Sequence, residues 1–134
     1  MRIFLAGASG AIGRRLVPLL IAAGHDVAGT TRSADAAGKL EAAGVRAAIV
    51  DVYEPPALER AAIDAQPEVV VHQLTDLPQS FDEKALAASY PRNARIRVEG
   101  TRNLIAAARA AGAQRFVVQR ADIGVAARKM PVNA

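Results

Sequence analysis

Cysteine is absent from the 134 residues, which removes disulfides, thiolate nucleophiles and zinc–thiolate sites together. Aromatic side chains are scarce, with three phenylalanines and two tyrosines. No basic and aromatic positions interleave, so single-stranded bases find little to stack on, and nucleic-acid binding is not expected. Long unbroken apolar runs are missing although 51% of the residues are hydrophobic, which argues against a membrane span. The N-terminus reads as a strand carrying one arginine, not as a leader with a charged front and a small-residue cleavage site. The two histidines, His25 in a turn and His72 inside an apolar run, do not form a metal cluster. What remains is the expectation of a soluble, cytoplasmic protein of one domain.

Charge is present but unevenly placed. Residues 1–89 carry eight basic and eleven acidic side chains, whereas residues 90–134 carry nine basic ones against Glu99 and Asp122 alone. A basic half of this kind suits an anionic cofactor or an acidic partner surface.

Apolar strand patterns and apolar-periodic helix patterns alternate along the chain. The expected strands are Arg2–Gly7, Asp26–Arg32, Arg46–Val52, Val69–Leu74 and Arg115–Gln119. Between them the expected helices are Ala11–Ala23, Ala34–Ala43, Pro55–Ala65 and a long one over Arg92–Ala111, preceded by a polar loop from Thr75 to Ser89. In the first helix Ile12, Leu16, Leu19 and Leu20 share one face, with Pro18 as a distorting residue; in the long one Ile96, Leu104, Ile105 and Ala108 do. Five such alternations imply right-handed crossovers and a parallel sheet, hence an α/β fold with helices on both faces.

The most informative stretch is Gly7-Ala-Ser-Gly10-Ala-Ile-Gly13, set between the first strand and the first helix. That context makes a dinucleotide-binding loop of it. A pyrophosphate must come close to backbone N–H groups at the positive end of a helix. The first glycine permits the tight turn, the second leaves room for phosphates, and the third lets helix and strand pack closely. The candidates are Gly7, Ser9, Gly10, Ala11, Ile12 and Gly13, with the Ser9 hydroxyl a further donor. A turn needed only for packing is the alternative, and the surrounding strand–helix–strand pattern speaks against it.

This spacing resembles the extended and atypical short-chain dehydrogenase/reductases, the NAD-dependent epimerase/dehydratase family. Further segments resemble that family in order: "VDVYEPPAL", "VVVHQLTDL", and "RVEGTRNLIAAARAAGAQRFVVQ" with its Gly100, Thr101, Asn103 and Leu104. The resemblance implies a Rossmann-like three-layer fold with strand order 3-2-1-4-5, over residues 1–119. It also implies that Asp51 and Val52 flank the adenine ring and that Gln73, Leu74 and Thr75 lie beside the cofactor. Residues 120–134 are expected to form a tail, the family pattern being cut short after the fifth strand.

At the end of the second strand Thr30-Thr31-Arg32-Ser33 offers a cation where NAD-selective sites place a carboxylate. Arg32 can clamp a 2′-phosphate with its fork of donors, so NADP(H) is the expected cofactor and NAD(H) the second choice. The family's catalytic groups, a Ser or Thr after the fifth strand and a Tyr-x-x-x-Lys helix, are not matched: Arg120 stands at the first, and Val125 lies four before Lys129. The expectation is therefore a dinucleotide-binding protein without the usual catalysis. Two alternatives are a site completed by another chain and a non-enzymatic interaction module built on the basic half. An exposed fifth strand, or the tail Ile123–Val132, is expected to support a homo-oligomer.

Overall fold

In the computed structural model, which describes residues 1–76, 80 and 82–118, five strands form one parallel sheet ordered β3-β2-β1-β4-β5. The strands are β1 (Arg2–Ala6), β2 (Asp26–Thr31), β3 (Arg46–Ile49), β4 (Val69–His72) and β5 (Arg115–Val118). The helices are α1 (Gly13–Ala22), α2 (Ala34–Ala42), α3 (Pro55–Ala65), α4 (Glu83–Arg95) and α5 (Thr101–Ala110), with a π-helical turn at Ile96–Gly100 joining the last two. The α/β class, the parallel sheet and the strand order are those expected. The proposed tail, with Gln119, Arg120, Ile123, Val125, Lys129 and Val132, lies outside the described residues.

Alternation along the strands divides the core between the two faces. Phe4, Ala6 and Val70 point to one side and pack with Leu58 and Ala62 of α3 and Leu104, Ala107 and Ala108 of α5. Leu5 and Val27 point to the other and meet Val17 of α1 and Leu40 of α2. Burying Phe4, Leu5, Leu58 and Leu104 almost completely contributes about 1.5–3 kcal/mol each before entropy is counted. The order also creates a switch: β2 lies on one side of β1 and β4 on the other. The loops leaving β1 and β4 thus diverge and open a crevice at the carboxyl ends of the strands.

Five sequence expectations need correction. Helix α1 begins at Gly13, and its buried residues are Gly13 and Val17; of the expected face Leu16 and Leu20 pack partly buried against the core, while Leu19 and Ile12 are 68% and 42% exposed. Seating Gly13 on the β1 loop sets the helix so that only part of the apolar stripe meets the core, and Pro18 takes an exposed position that the helix tolerates. Strand β3 stops at Ile49 because β2, its only described neighbour, makes its last pairing at Thr31↔Ile49. Strand β4 stops at His72, the last residue paired with β1 and β5; residues 50–53 and 73–76 become loops over the crevice.

The segment read as a polar loop from Thr75 to Ser89 instead enters α4 at Glu83. The Asp82 carboxylate caps this helix by accepting from the Ala85 N–H at 2.7 Å, and the helix runs through Pro91. The long helix expected over Arg92–Ala111 is therefore two helices with a wider turn between them, in which Ile96 accepts from the Thr101 N–H. The inserted turn shifts the periodicity, so Leu104, Ala107 and Ala108 are buried while Ile105 is only partly so.

Candidate dinucleotide cleft

The glycine loop is fastened from β2. Thr30 Oγ1 accepts from the Gly7 N–H at 3.1 Å, the Thr30 carbonyl accepts from the Ala8 N–H at 3.2 Å, and Ser9 Oγ donates to Thr31 Oγ1 at 3.1 Å. Gly7 sits at φ +86°, where a side chain is strained, and a Cβ there would come within 2.8 Å of the Gln73 carbonyl oxygen. The two diverging loops thus touch backbone to backbone. At Gly13 a Cβ would lie 2.1 Å from the Gly7 carbonyl oxygen, so that glycine serves helix–strand packing. At Gly10 the nearest atom to a Cβ is 3.4 Å away and φ is not positive: the protein itself leaves room there.

Helix α1 opens without a side-chain cap and with no acidic residue in its first turn. The N–H groups of Ser9, Ala11, Ile12 and Gly13 find no acceptor among the described residues. Unpaired N–H groups at the positive end of a helix form a site for an anion.

Nine of the twelve candidate residues line one cavity of about 190 Å³: Gly7, Ser9, Gly10, Arg32, Asp51, Val52, Gln73, Leu74 and Thr75. Ala11, Ile12 and Gly13 do not line it; the first two are exposed and the third is buried behind the loop. Arg32 is exposed on the rim and has no ion-pair partner among the described residues. Asp51 accepts from the Tyr53 N–H at 2.9 Å, which turns the chain at the end of β3. Val52 is held by its carbonyl, which accepts from Asn103 Nδ2 at 2.9 Å. Gln73 Oε1 is buried with no hydrogen-bond partner among the described residues.

The 73–76 loop is held from behind. His72 Nδ1 accepts from the Leu74 N–H at 3.2 Å. Burial holds this imidazole below its ordinary pKa, and its hydrogen bond to the Ile96 backbone opposes that shift. Asn93 on α4 accepts from the Asp76 N–H at 2.9 Å and donates to the Asp76 carbonyl at 2.8 Å, gripping the backbone from both sides.

Sequence reasoning missed several residues that the fold brings in. Thr30, Thr31, Tyr53 and Ile96 also line the cavity. The two threonines were visible at the end of the second strand, and Tyr53 directly follows the Asp51-Val52 pair. Tyr90 is 58% exposed on α4. In the basic half, Arg92 pairs with Asp76 and Arg95 with Glu99.

The donor set fits a nicotinamide dinucleotide: free N–H groups and Arg32 for phosphates, and an unpartnered amide oxygen for a donor. Comparison with known proteins agrees. Residues 7–133 match the model of the NAD(P)H-binding family. A 3-diazoavenalumate denitrifying reductase from Streptomyces is 42% identical over 132 residues, 98% of this chain and 41% of that protein. Among solved structures, the Bordetella bronchiseptica enzyme WbmG in complex with NAD and UDP is 27% identical with a TM-score of 0.67, the match covering 88% of this chain and 36% of that one. The yeast methylglyoxal/isovaleraldehyde reductase Gre2, complexed with NADPH, has the same TM-score at 23% identity, with coverage of 88% and 36%, and speaks for the fold alone. The chain thus spans about two fifths of the length of these relatives.

Proposed function

This chain belongs to the NAD(P)H-binding family, and on that premise we propose that it is the cofactor-holding domain of an NADP(H)-dependent reductase. The observation that carries the reading is the uncapped α1 terminus beside Gly7 and Gly10, with Arg32, which has no ion-pair partner among the described residues, on the rim of the same cavity. A bound nicotinamide dinucleotide supplies a hydride to a substrate or takes one from it. The chain's own residues bind and orient it. The free N–H groups at residues 9 and 11–13 would meet the pyrophosphate, and Arg32 the 2′-phosphate. Asp51 and Val52 would hold the adenine end, and Gln73, Leu74 and Thr75 the side toward the nicotinamide. The reductase class rests on the Streptomyces relative, similar over nearly the whole of this chain.

No Tyr-x-x-x-Lys can be written in these residues, so binding without carbonyl turnover is expected of the chain alone. Titration by the enhancement of reduced-nicotinamide fluorescence tests the reading, with a hydride-transfer assay on a carbonyl panel beside it. NADPH should bind more tightly than NADH, and no carbonyl should be reduced. Failure of both cofactors to bind would overturn the proposal, and steady turnover would overturn its catalytic half.

A further inference from the structure

Tyr53 stands where the adenine half of a dinucleotide would end, just past β3 and one residue beyond Val52. Tyr53 lines the cavity, and the Arg95 guanidinium lies 3.8 Å from its ring centroid. Arg95 itself does not line the cavity, so Tyr53 and not the cation faces the open space. Both partners are fixed in place. The Asp51 carboxylate and the Asn103 amide both grip the peptide group between Val52 and Tyr53, directly before the ring's attachment. Arg95 is held by Glu99 at 2.9 Å across the π-helical turn.

We propose that Tyr53, backed by Arg95, is the stacking wall for the adenine ring of the bound nucleotide. The inference rests on the dinucleotide reading above and adds to it the group that selects a purine. A guanidinium over one face of an aromatic ring is attracted by its electron density, and a flat neutral base stacks on an aromatic face that is not so covered. Asp51 brings a carboxylate to the same end of the cavity, an acceptor for an exocyclic amine. The phenol is held neutral, since burial raises its pKa with the Arg95 charge opposing. Stacking uses the face of the ring and not the hydroxyl, so the ring carries the effect.

The composition supplies the assay. The chain has no tryptophan and two tyrosines, so Tyr90→Phe leaves Tyr53 as the single long-wavelength emitter. In that protein, saturation with 2′,5′-ADP should quench the emission, whereas nicotinamide mononucleotide should leave it unchanged. Tyr53→Leu, which keeps apolar bulk against the core, should raise the Kd for 2′,5′-ADP about tenfold. Arg95→Gln should raise it about threefold, and Tyr53→Phe should stay within about twofold. If the unaltered chain binds NADPH but Tyr53→Leu binds 2′,5′-ADP equally well, or the emission does not change at saturation, the stacking proposal falls and the dinucleotide reading stands. If the unaltered chain binds no NADPH, both fall.

Discussion

Two of the three loop glycines separate folding from binding. In Gly13→Ala the new methyl would sit 2.1 Å from the Gly7 carbonyl oxygen and 2.8 Å from the Ala8 Cα and carbonyl carbon. All three are backbone atoms, so α1 must move off β1 and loosen Val17 from Leu5 and Val27. Forcing extra volume into a packed contact of this kind costs about 3 kcal/mol, the upper part of the usual range. For a domain of this size that lowers Tm by about 10 °C. In Gly10→Ala the closest atom to the methyl is the Gly7 oxygen at 3.4 Å, with an ordinary φ, and Tm should move by less than about 2 °C. The methyl nevertheless projects from a residue that lines the cavity, where a phosphate must come close to backbone. NADPH affinity should fall at least about tenfold, as when one charge-assisted hydrogen bond is lost. Thermal melting by circular dichroism beside an NADPH titration reads both effects. The reasoning is refuted if Gly13→Ala melts like the parent, or if Gly10→Ala binds NADPH with unchanged affinity.

Arg32→Ala should weaken NADPH about tenfold or more and NADH little, leaving Tm unchanged because no described ion pair is broken; equal losses for both cofactors would contradict the 2′-phosphate assignment. Burial holds the His72 pKa down, so the unfolded chain takes up that proton first; stability is full above about pH 6.5 and declines as the pH falls below it. His72→Gln, which does not titrate, should flatten the fall in urea midpoints between about pH 6.5 and pH 5, and an unchanged slope would remove His72 from the account. Asn93→Ala frees the Asp76 backbone at a cost of about 1–2 kcal/mol and should weaken NADPH as well, since residues 73–75 line the cavity; unaltered melting and binding would show that Asn93 does not position that loop.

Most of the scaffold was legible because its signals are local. The apolar runs at Ile3–Ala6 and Val69–Val71, the prolines opening α3 and the glycines ending α1 and α2 each act within a few residues. Pro91 and the serines around it hid α4, although the Asp82 cap was there to be read. The π-helical turn was not legible, because its inserted residue breaks the period on which a helix is recognised, and it is this turn that joins Ile96 to the cavity wall and Glu99 to Arg95. The glycine loop was read from its spacing, Arg32 from its place at the end of the second strand and Asp51 from the family resemblance; Gly7, Gly10, Arg32 and Asp51 line one cavity. Tyr53 was not read, because its placement depends on Asn103 and Arg95, which reach it from the far end of the chain. Gly13 was found for the right reason, packing, yet Ile12 and Leu19 were put on the buried face because that packing sets the phase of α1.

The most direct measurement of the central claim is an amide proton–nitrogen correlation spectrum recorded through a titration with NADPH. The account requires saturable shifts concentrated at Ser9 and Ala11–Gly13, where the free N–H groups of α1 stand, and at Arg32, Asp51–Tyr53 and Gln73–Thr75 around the same cavity. Saturable shifts confined to other surfaces, or no shift at any concentration, would contradict it.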